Sequence, residues 1–337
     1  MRLLQLKRPN NFFHSQIEKK YGRALHTCDD SGAIMSDGAI AIQGDTIQAV
    51  GPSADLEAIY TDRPQYNCSG KAIIPGFINS NSHTVLTVLR GTVEDMDVGS
   101  VYGYMVPITY VMTPDERSAF AALGCLEAIR PGTTTIVDPL RHVASYAPAM
   151  VNSGLRLFLS ESAADALTLE VWRGVYEYSR AWGETFLDRT QALIEAHHMT
   201  HQGRVQCQIA AHATDNCSPW MLEQLRQLAE RYQLRRTIHL AQGQGEVDQI
   251  RSAHQLTPVE YLDQNDWLGP DLVAAHWSFC SEQNIERLAD TGTHMAHCPA
   301  NSSRRGSNWG VKMPQIFDAG VNVALGTDNM TEDISQL

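Results

Sequence analysis

The sequence contains no run approaching the roughly 20 consecutive apolar residues that a bilayer-spanning helix requires, so no membrane span is expected. It also contains no CxxC pair. Cys28, Cys68, Cys125, Cys207, Cys217, Cys280 and Cys298 are scattered and odd in number, which removes support for zinc ribbons and thioredoxin-type chemistry. They read as reduced thiols behaving as small apolar side chains. Basic residues are in short supply: 26 Lys and Arg stand against 38 Asp and Glu, a net charge of −12. Such a surface repels phosphate backbones, so nucleic acid is not an expected partner. Neither GxGxxG nor GxxxxGK[ST] follows an early strand, which leaves a nucleotide cradled on a glycine-rich loop without support. The first residues carry Arg2, Lys7 and Arg8 but no long apolar core, so they do not read as a secretory signal. The expected compartment is the cytoplasm.

What is present is a globular composition, 43% apolar and 19% charged, long enough for one large core and a small accessory lobe. Residues 1–22 are polar and aperiodic and receive no structural assignment. Within 23–74, the runs Gly38–Gln43 and Thr46–Gly51 flank a Gly44-Asp45 turn, the signal of a β-hairpin. This segment is expected to be part of an accessory β-lobe, and 75–337 the main domain.

In the main domain, short runs rich in β-branched residues recur at Phe77–Ser80, Thr134–Val137, Leu155–Leu159, Val205–Ala210, Thr237–Leu240, Leu272–Ala275, Thr293–Ala296 and Asn322–Leu325. Each is short enough for a strand buried on both faces. Helical segments separate most of them. One starts at Thr113-Pro114-Asp115-Glu116 with the capping-box arrangement, one at Ser218-Pro219, and one runs from Ser281 to Ala289. Eight strands alternating with helices argue for a (β/α)8 TIM barrel, although periodicity by itself leaves a doubly wound open sheet standing.

Polar residues follow these runs: Asn81-Ser82-His83 after the first, His212 after the fourth, His239 in the fifth, His276 after the sixth and Asp328 after the eighth. In a barrel the C-terminal strand ends converge on one mouth, where imidazoles and a carboxylate can form a metal site of N and O ligands. Taken singly, each His reads as a boundary residue and the Asp as a turn former. His142 and His297 also follow apolar runs, so the pattern is not perfectly selective.

The run Lys71–Asn79 with its polar triplet resembles the start of the barrel in the amidohydrolase superfamily, in particular the branch of triazine hydrolases and cytosine, guanine and adenosine-type deaminases. Leu89-Arg90-Gly91, Gly132–Asp138, His212–Pro219, His239–Gln242, Ala275-His276, His297-Cys298-Pro299 and Gly320–Asp328 continue the resemblance in order, over about residues 24–337. It implies a hydrolase acting on non-peptide C–N bonds, deaminating or dechlorinating a heterocyclic or amidine-like small molecule with a metal-bound hydroxide. The implied ligands of one divalent metal, Zn²⁺ or else Fe²⁺, are His83, His239 and Asp328. His276 and Asp328 would act on the water, and His212 would face the substrate. The expected partner is a small molecule, and a homodimer is an arrangement the chain permits.

Two positions depart from the family pattern. Asn81 stands where a first metal-binding histidine is expected; its carbonyl oxygen is a weaker ligand than imidazole. Gln242 stands where a proton-shuttling Glu is expected, and an amide cannot accept and return a proton, so transfer would move to His276 or Asp215 or fail. The chain also ends nine residues after Asp328, where members normally continue through a last helix and the rest of the lobe. A catalytically impaired relative or a gene fragment is therefore the alternative reading. Specificity is expected in Thr84–Met112 and Ala163–Thr190. Trp172, Tyr176, Tyr178 and Trp182 of the latter would either stack on a ring or pack on a helix face.

Overall fold

The computed structural model of the chain describes residues 2–5, 24–92, 101–304 and 310–329. Two compact units divide at Gly76 and Phe77. In the first, the hairpin Gly38–Gln43 with Thr46–Pro52 forms around Gly44, whose φ of +63° is the left-handed conformation the turn demands. Arg2–Gln5 pairs antiparallel with Gly38–Gln43 and parallel with Gln65–Asn67. Sequence periodicity assigns nothing there, because four residues are too few to show a period and the partners lie more than 30 residues away. The remainder of the 1–22 segment lies outside the described residues. Ala39, Ala41 and Leu56 form the small core of this unit.

The second unit is built on eight parallel strands in sequential order: β1 Phe77–Asn79, β2 Thr133–Leu140, β3 Arg156–Ala163, β4 Ile209–Ala213, β5 Arg236–Leu240, β6 Leu272–His276, β7 His294–His297 and β8 Val323–Leu325. A short strand, Val205–Cys207, precedes β4 on the same edge of β3. Closure runs through Ser80, whose amide and hydroxyl both donate to the Leu325 carbonyl, at 2.8 and 2.7 Å. This is the nearly closed (β/α)8 barrel expected from the alternation. Several strands outlast their apolar runs, because ladder hydrogen bonds use backbone groups and continue through polar side chains. His212 and His276 therefore lie inside β4 and β6 rather than after them, and His239 lies inside β5.

The helix stops and starts follow their capping chemistry. Helix α1, Pro114–Ile129, begins on a Thr113–Glu116 capping box, and α2, Pro219–Tyr232, begins on Ser218 without the acid. In α1, Gly124 lies so close to the segment after β1 that a Cβ would stand 2.8 Å from the Thr84 carbonyl oxygen. A substituted residue there would push α1 away from the end of β1.

His142 occupies a left-handed position, φ +59°, just beyond β2. Burial, with the cations Arg117, Arg189 and Arg141 nearby, pushes its imidazole down to about 4. The folded protein thus keeps His142 neutral while the unfolded chain protonates it as pH falls through about 6.5. Stability from this group is full above that pH and declines toward pH 4. His142→Asn, which suits the left-handed backbone, is expected to show a shallower stability loss between pH 7 and pH 4.5 in urea unfolding. An unchanged acid slope would remove His142 from the account.

Candidate metal centre

The chain after β8 runs alongside the residues that follow β1. Asp328 pairs with Ser82 and Asn329 with His83 in a two-residue parallel ladder, and the Asp328 amide donates to the Asn81 carbonyl at 2.9 Å. Gly326 permits this approach, since a Cβ there would meet the Asn81 carbonyl oxygen at 2.8 Å. Asp328 itself sits at φ +63° and His276 at φ +81°, conformations that cost about 1–3 kcal/mol each and gather at functional sites.

The result is a buried cluster of His83, His239 and Asp328 whose potential ligand atoms all lie within 4.8 Å of one another. His83 Nε2 is 3.2 Å from His239 Nε2 and 3.3 Å from Asp328 Oδ1. His239 Nδ1 lies 2.6 Å from the His212 carbonyl oxygen, an acceptor only, so Nδ1 carries the proton and Nε2 keeps a lone pair facing the cluster. Burial and the neighbouring His83 and His276 push the His239 imidazole down to about 3, keeping it a neutral base. For Asp328, burial opposes ionisation, but His276 and His83 outweigh it and hold the carboxyl well below the usual range. Two imidazole nitrogens and a carboxylate converging in a buried space are a donor set that fits a divalent cation such as zinc.

Around this cluster the other expected residues take distinct places. His276 Nε2 stands 3.8 Å from Asp328 Oδ1. Asn81 directs Nδ2, its donor end, at Asp328 Oδ1 (3.3 Å) and Cys298 Sγ (3.7 Å). Turning the amide over to offer its oxygen would set an acceptor against a carboxylate. Asn301, which has no sequence signal beyond following His297-Cys298-Pro299, donates to Asp328 Oδ2. His212 Nδ1 lies 2.5 Å from Asn216 Nδ2, and the Asn216 oxygen is occupied by the Ala213 amide. Asn216 is thus a donor to Nδ1, which leaves the His212 proton on Nε2 as a hydrogen-bond donor. Burial and Arg141 hold His212 well below its ordinary pKa, so this donor is neutral. Asp138 accepts from the Thr84 amide (3.2 Å) and hydroxyl, which fixes the chain next to His83.

A pocket of about 450 Å³ of non-atom space, part of it open to solvent, reaches the cluster. Its polar lining includes Arg141, Ser162, His212 and Gln242, and its apolar wall includes Leu86, Met105 and Leu140. Part of Thr84–Met112, residues 93–100, lies outside the described residues. None of Trp172, Tyr176, Tyr178 and Trp182 lines this pocket. Tyr176 donates to Asp215 Oδ2 (3.2 Å), Tyr178 donates to the Asp215 carbonyl (2.8 Å), and Trp182 stacks on Tyr110.

Two further buried carboxylates are committed to structure. Asp215 accepts from Tyr102 at 3.1 Å and from Tyr176, and burial pushes it up. Glu246 accepts from the amides of Ala241 (3.1 Å) and Gln242 (2.8 Å) and from the Thr214 hydroxyl (2.6 Å), and burial and Asp215 push it up. Neither lines the pocket.

Comparison with known proteins gives the family and the fold. The chain is 31% identical over 306 residues to a 5-methylthioadenosine/S-adenosylhomocysteine deaminase of Syntrophobacter fumaroxidans, covering 90% of this chain and 66% of that protein. It is 31% identical over 262 residues to a 5'-deoxyadenosine deaminase of Methanothermobacter thermautotrophicus, covering 77% of this chain and 58% of that one. The chain thus spans about two thirds or less of the length of these relatives. Among solved structures, a mutant atrazine chlorohydrolase from Arthrobacter aurescens, complexed with zinc and atraton, superposes with a TM-score of 0.81 at 21% identity, over 99% of this chain and 73% of that one. Guanine deaminase from C. acetobutylicum with bound guanine gives 0.80 at 19% identity, over 99% and 74%. These likenesses establish the fold. Residues 38–62 match an imidazolonepropionase-like composite domain of bacteria, and residues 72–336 match the amidohydrolase family. With most of its length inside that match, the chain belongs to the amidohydrolase family.

Proposed function

We propose that the chain is the barrel of a zinc-dependent hydrolase that removes an exocyclic amino group from a small nitrogen heterocycle. The observation that carries this reading is the His83–His239–Asp328 cluster at one end of a pocket that also holds the neutral His212 donor. Curated relatives named as deaminases favour loss of ammonia over loss of halide. His83 Nε2, His239 Nε2 and an Asp328 oxygen would hold the ion, with Asn81 and Asn301 fixing the carboxylate through their amide nitrogens. A bound zinc supplies a water of lowered pKa and electrostatic stabilisation of developing charge. His212 Nε2–H donates to a ring nitrogen or oxygen of the substrate and so orients it. Gln242 offers a neutral amide to the same pocket and moves no proton. His276 Nε2, beside Asp328 Oδ1, would be the group that takes the proton given up by the attacking water and delivers it to the leaving nitrogen, so that the ring carbon gains oxygen as ammonia departs.

Gln242 also gives weight to a second reading, a barrel that keeps its ion and binds a ligand without turnover. Metal content and ammonia release from aminopurines, aminopyrimidines and aminotriazines separate the two. About one zinc per chain, with ammonia release lost to a chelator and restored by zinc, is the expected result. Bound zinc with no release across the panel selects the binding reading. A chain that retains no metal at all sinks both.

A further inference from the structure

Arg141, the residue after β2, is 1% exposed, yet its Nε and Nη2 have no hydrogen-bond partner and it forms no ion pair with any described carboxylate. Its guanidinium lies 5.8 Å from the Phe186 ring centroid, and the side chain lines the pocket that reaches the metal cluster. The neighbouring strand supplies a second vacant group. Leu140 of β2 is in register with Glu161 of β3, so the next position on β3 is Ser162. The Ser162 hydroxyl is buried, lines the same pocket and also has no partner.

The nearest acid by sequence register, Glu161, is already engaged. It accepts from the amides of His142 (2.9 Å) and Val143 (3.1 Å), and Arg189 stands 3.7 Å away. Among the described residues that line the pocket, the only carboxylate is Asp328, which belongs to the metal cluster. Glu161 feels the Arg141 charge but makes no ion pair with it, and a guanidinium taken out of water with its Nε and Nη2 unpaired is costly; its planar fork of donors matches a carboxylate in two parallel hydrogen bonds. A ligand that brings the missing negative charge recovers that cost, and a neutral ligand does not.

We propose that Arg141, with the Ser162 hydroxyl, is a subsite for a carboxylate on the substrate, at a part of the molecule remote from the amino group that is lost. This rests on reading the pocket as the substrate site of the proposed hydrolase. It narrows the substrate class to aminated heterocycles that carry an anionic oxygen group.

The test is calorimetric binding to the full, zinc-loaded chain with two matched probes: 6-aminonicotinate, which carries the carboxylate, and its neutral counterpart 6-aminonicotinamide. The wild type is expected to bind the carboxylate at least about tenfold more tightly, the scale of a charge-assisted hydrogen bond. Arg141→Met should abolish that preference by weakening the carboxylate alone, with zinc content unchanged. Arg141→Lys should keep part of it, and Ser162→Ala should weaken it. Because Met removes an unpaired buried charge, Arg141→Met should also melt at or above the wild-type temperature without ligand. No preference in the wild type, a preference that survives Arg141→Met, or a sharp fall in the melting temperature of that variant would overturn the proposal. Turnover is not read in this assay, so a chain without deaminase activity leaves its outcome intact.

Discussion

His239→Ala should strip the chain of tightly held metal and of activity together. The substitution removes an imidazole whose Nε2 faces both His83 Nε2 and the Asp328 carboxylate. Loss of a group that merely orients a ligand costs roughly 10- to 100-fold in metal affinity, so loss of a ligand should cost about 100-fold or more. Hydrolysis measured at stoichiometric zinc should fall to background. Dialysis against a graded zinc buffer, followed by elemental analysis, reads the affinity directly. Because His239 is pushed down to about 3, protons should not compete for it anywhere between pH 5 and pH 8. Stoichiometric zinc and full activity in the variant would remove His239 from the ligand set.

Glu246→Ala should produce the largest loss of stability near the site. The carboxylate is buried and accepts from two backbone amides at the end of β5 and from the Thr214 hydroxyl. Truncation leaves two buried donors and one half-buried donor without an acceptor, a cost of about 3–5 kcal/mol in urea unfolding. Glu246→Gln keeps one oxygen and should lose less. The pH dependence is a second check. Burial and Asp215 raise the folded-state pKa of Glu246 above its unfolded value. The group's contribution is therefore present below the unfolded value and is lost as pH rises through the folded one. That loss should be absent from Glu246→Gln. A variant that stays as stable as wild type but loses turnover would move Glu246 from structure to chemistry.

Much of the site could be read from the chain because its chemistry is local to strand ends. His83, His239, His276 and Asp328 follow or close apolar runs, and a barrel brings such positions to one mouth whatever lies between them. Arg141 and Ser162 carried no such sign. An Arg after a strand is ordinary, and only burial without a partner distinguishes it. Asn81 could be identified as a departure, but the direction of its amide depends on Asp328, 247 residues away. The aromatic residues of 163–190 were open between ring stacking and packing. The fold turns two of them onto Asp215 and one onto Tyr110, which only tertiary contacts could decide.

By itself, then, the sequence determined the alternation of strands and helices, the capped helix starts and the residue types available at the barrel mouth. These follow from short-range rules: period, capping geometry and the burial of both faces of a parallel sheet. The tertiary structure alone decided which lone pairs face one another, which carboxylates are committed to backbone amides and which buried charge is left without a partner. Those properties depend on distances between residues far apart in the chain, and a hydrogen-bond partner at 3 Å leaves no trace in sequence spacing.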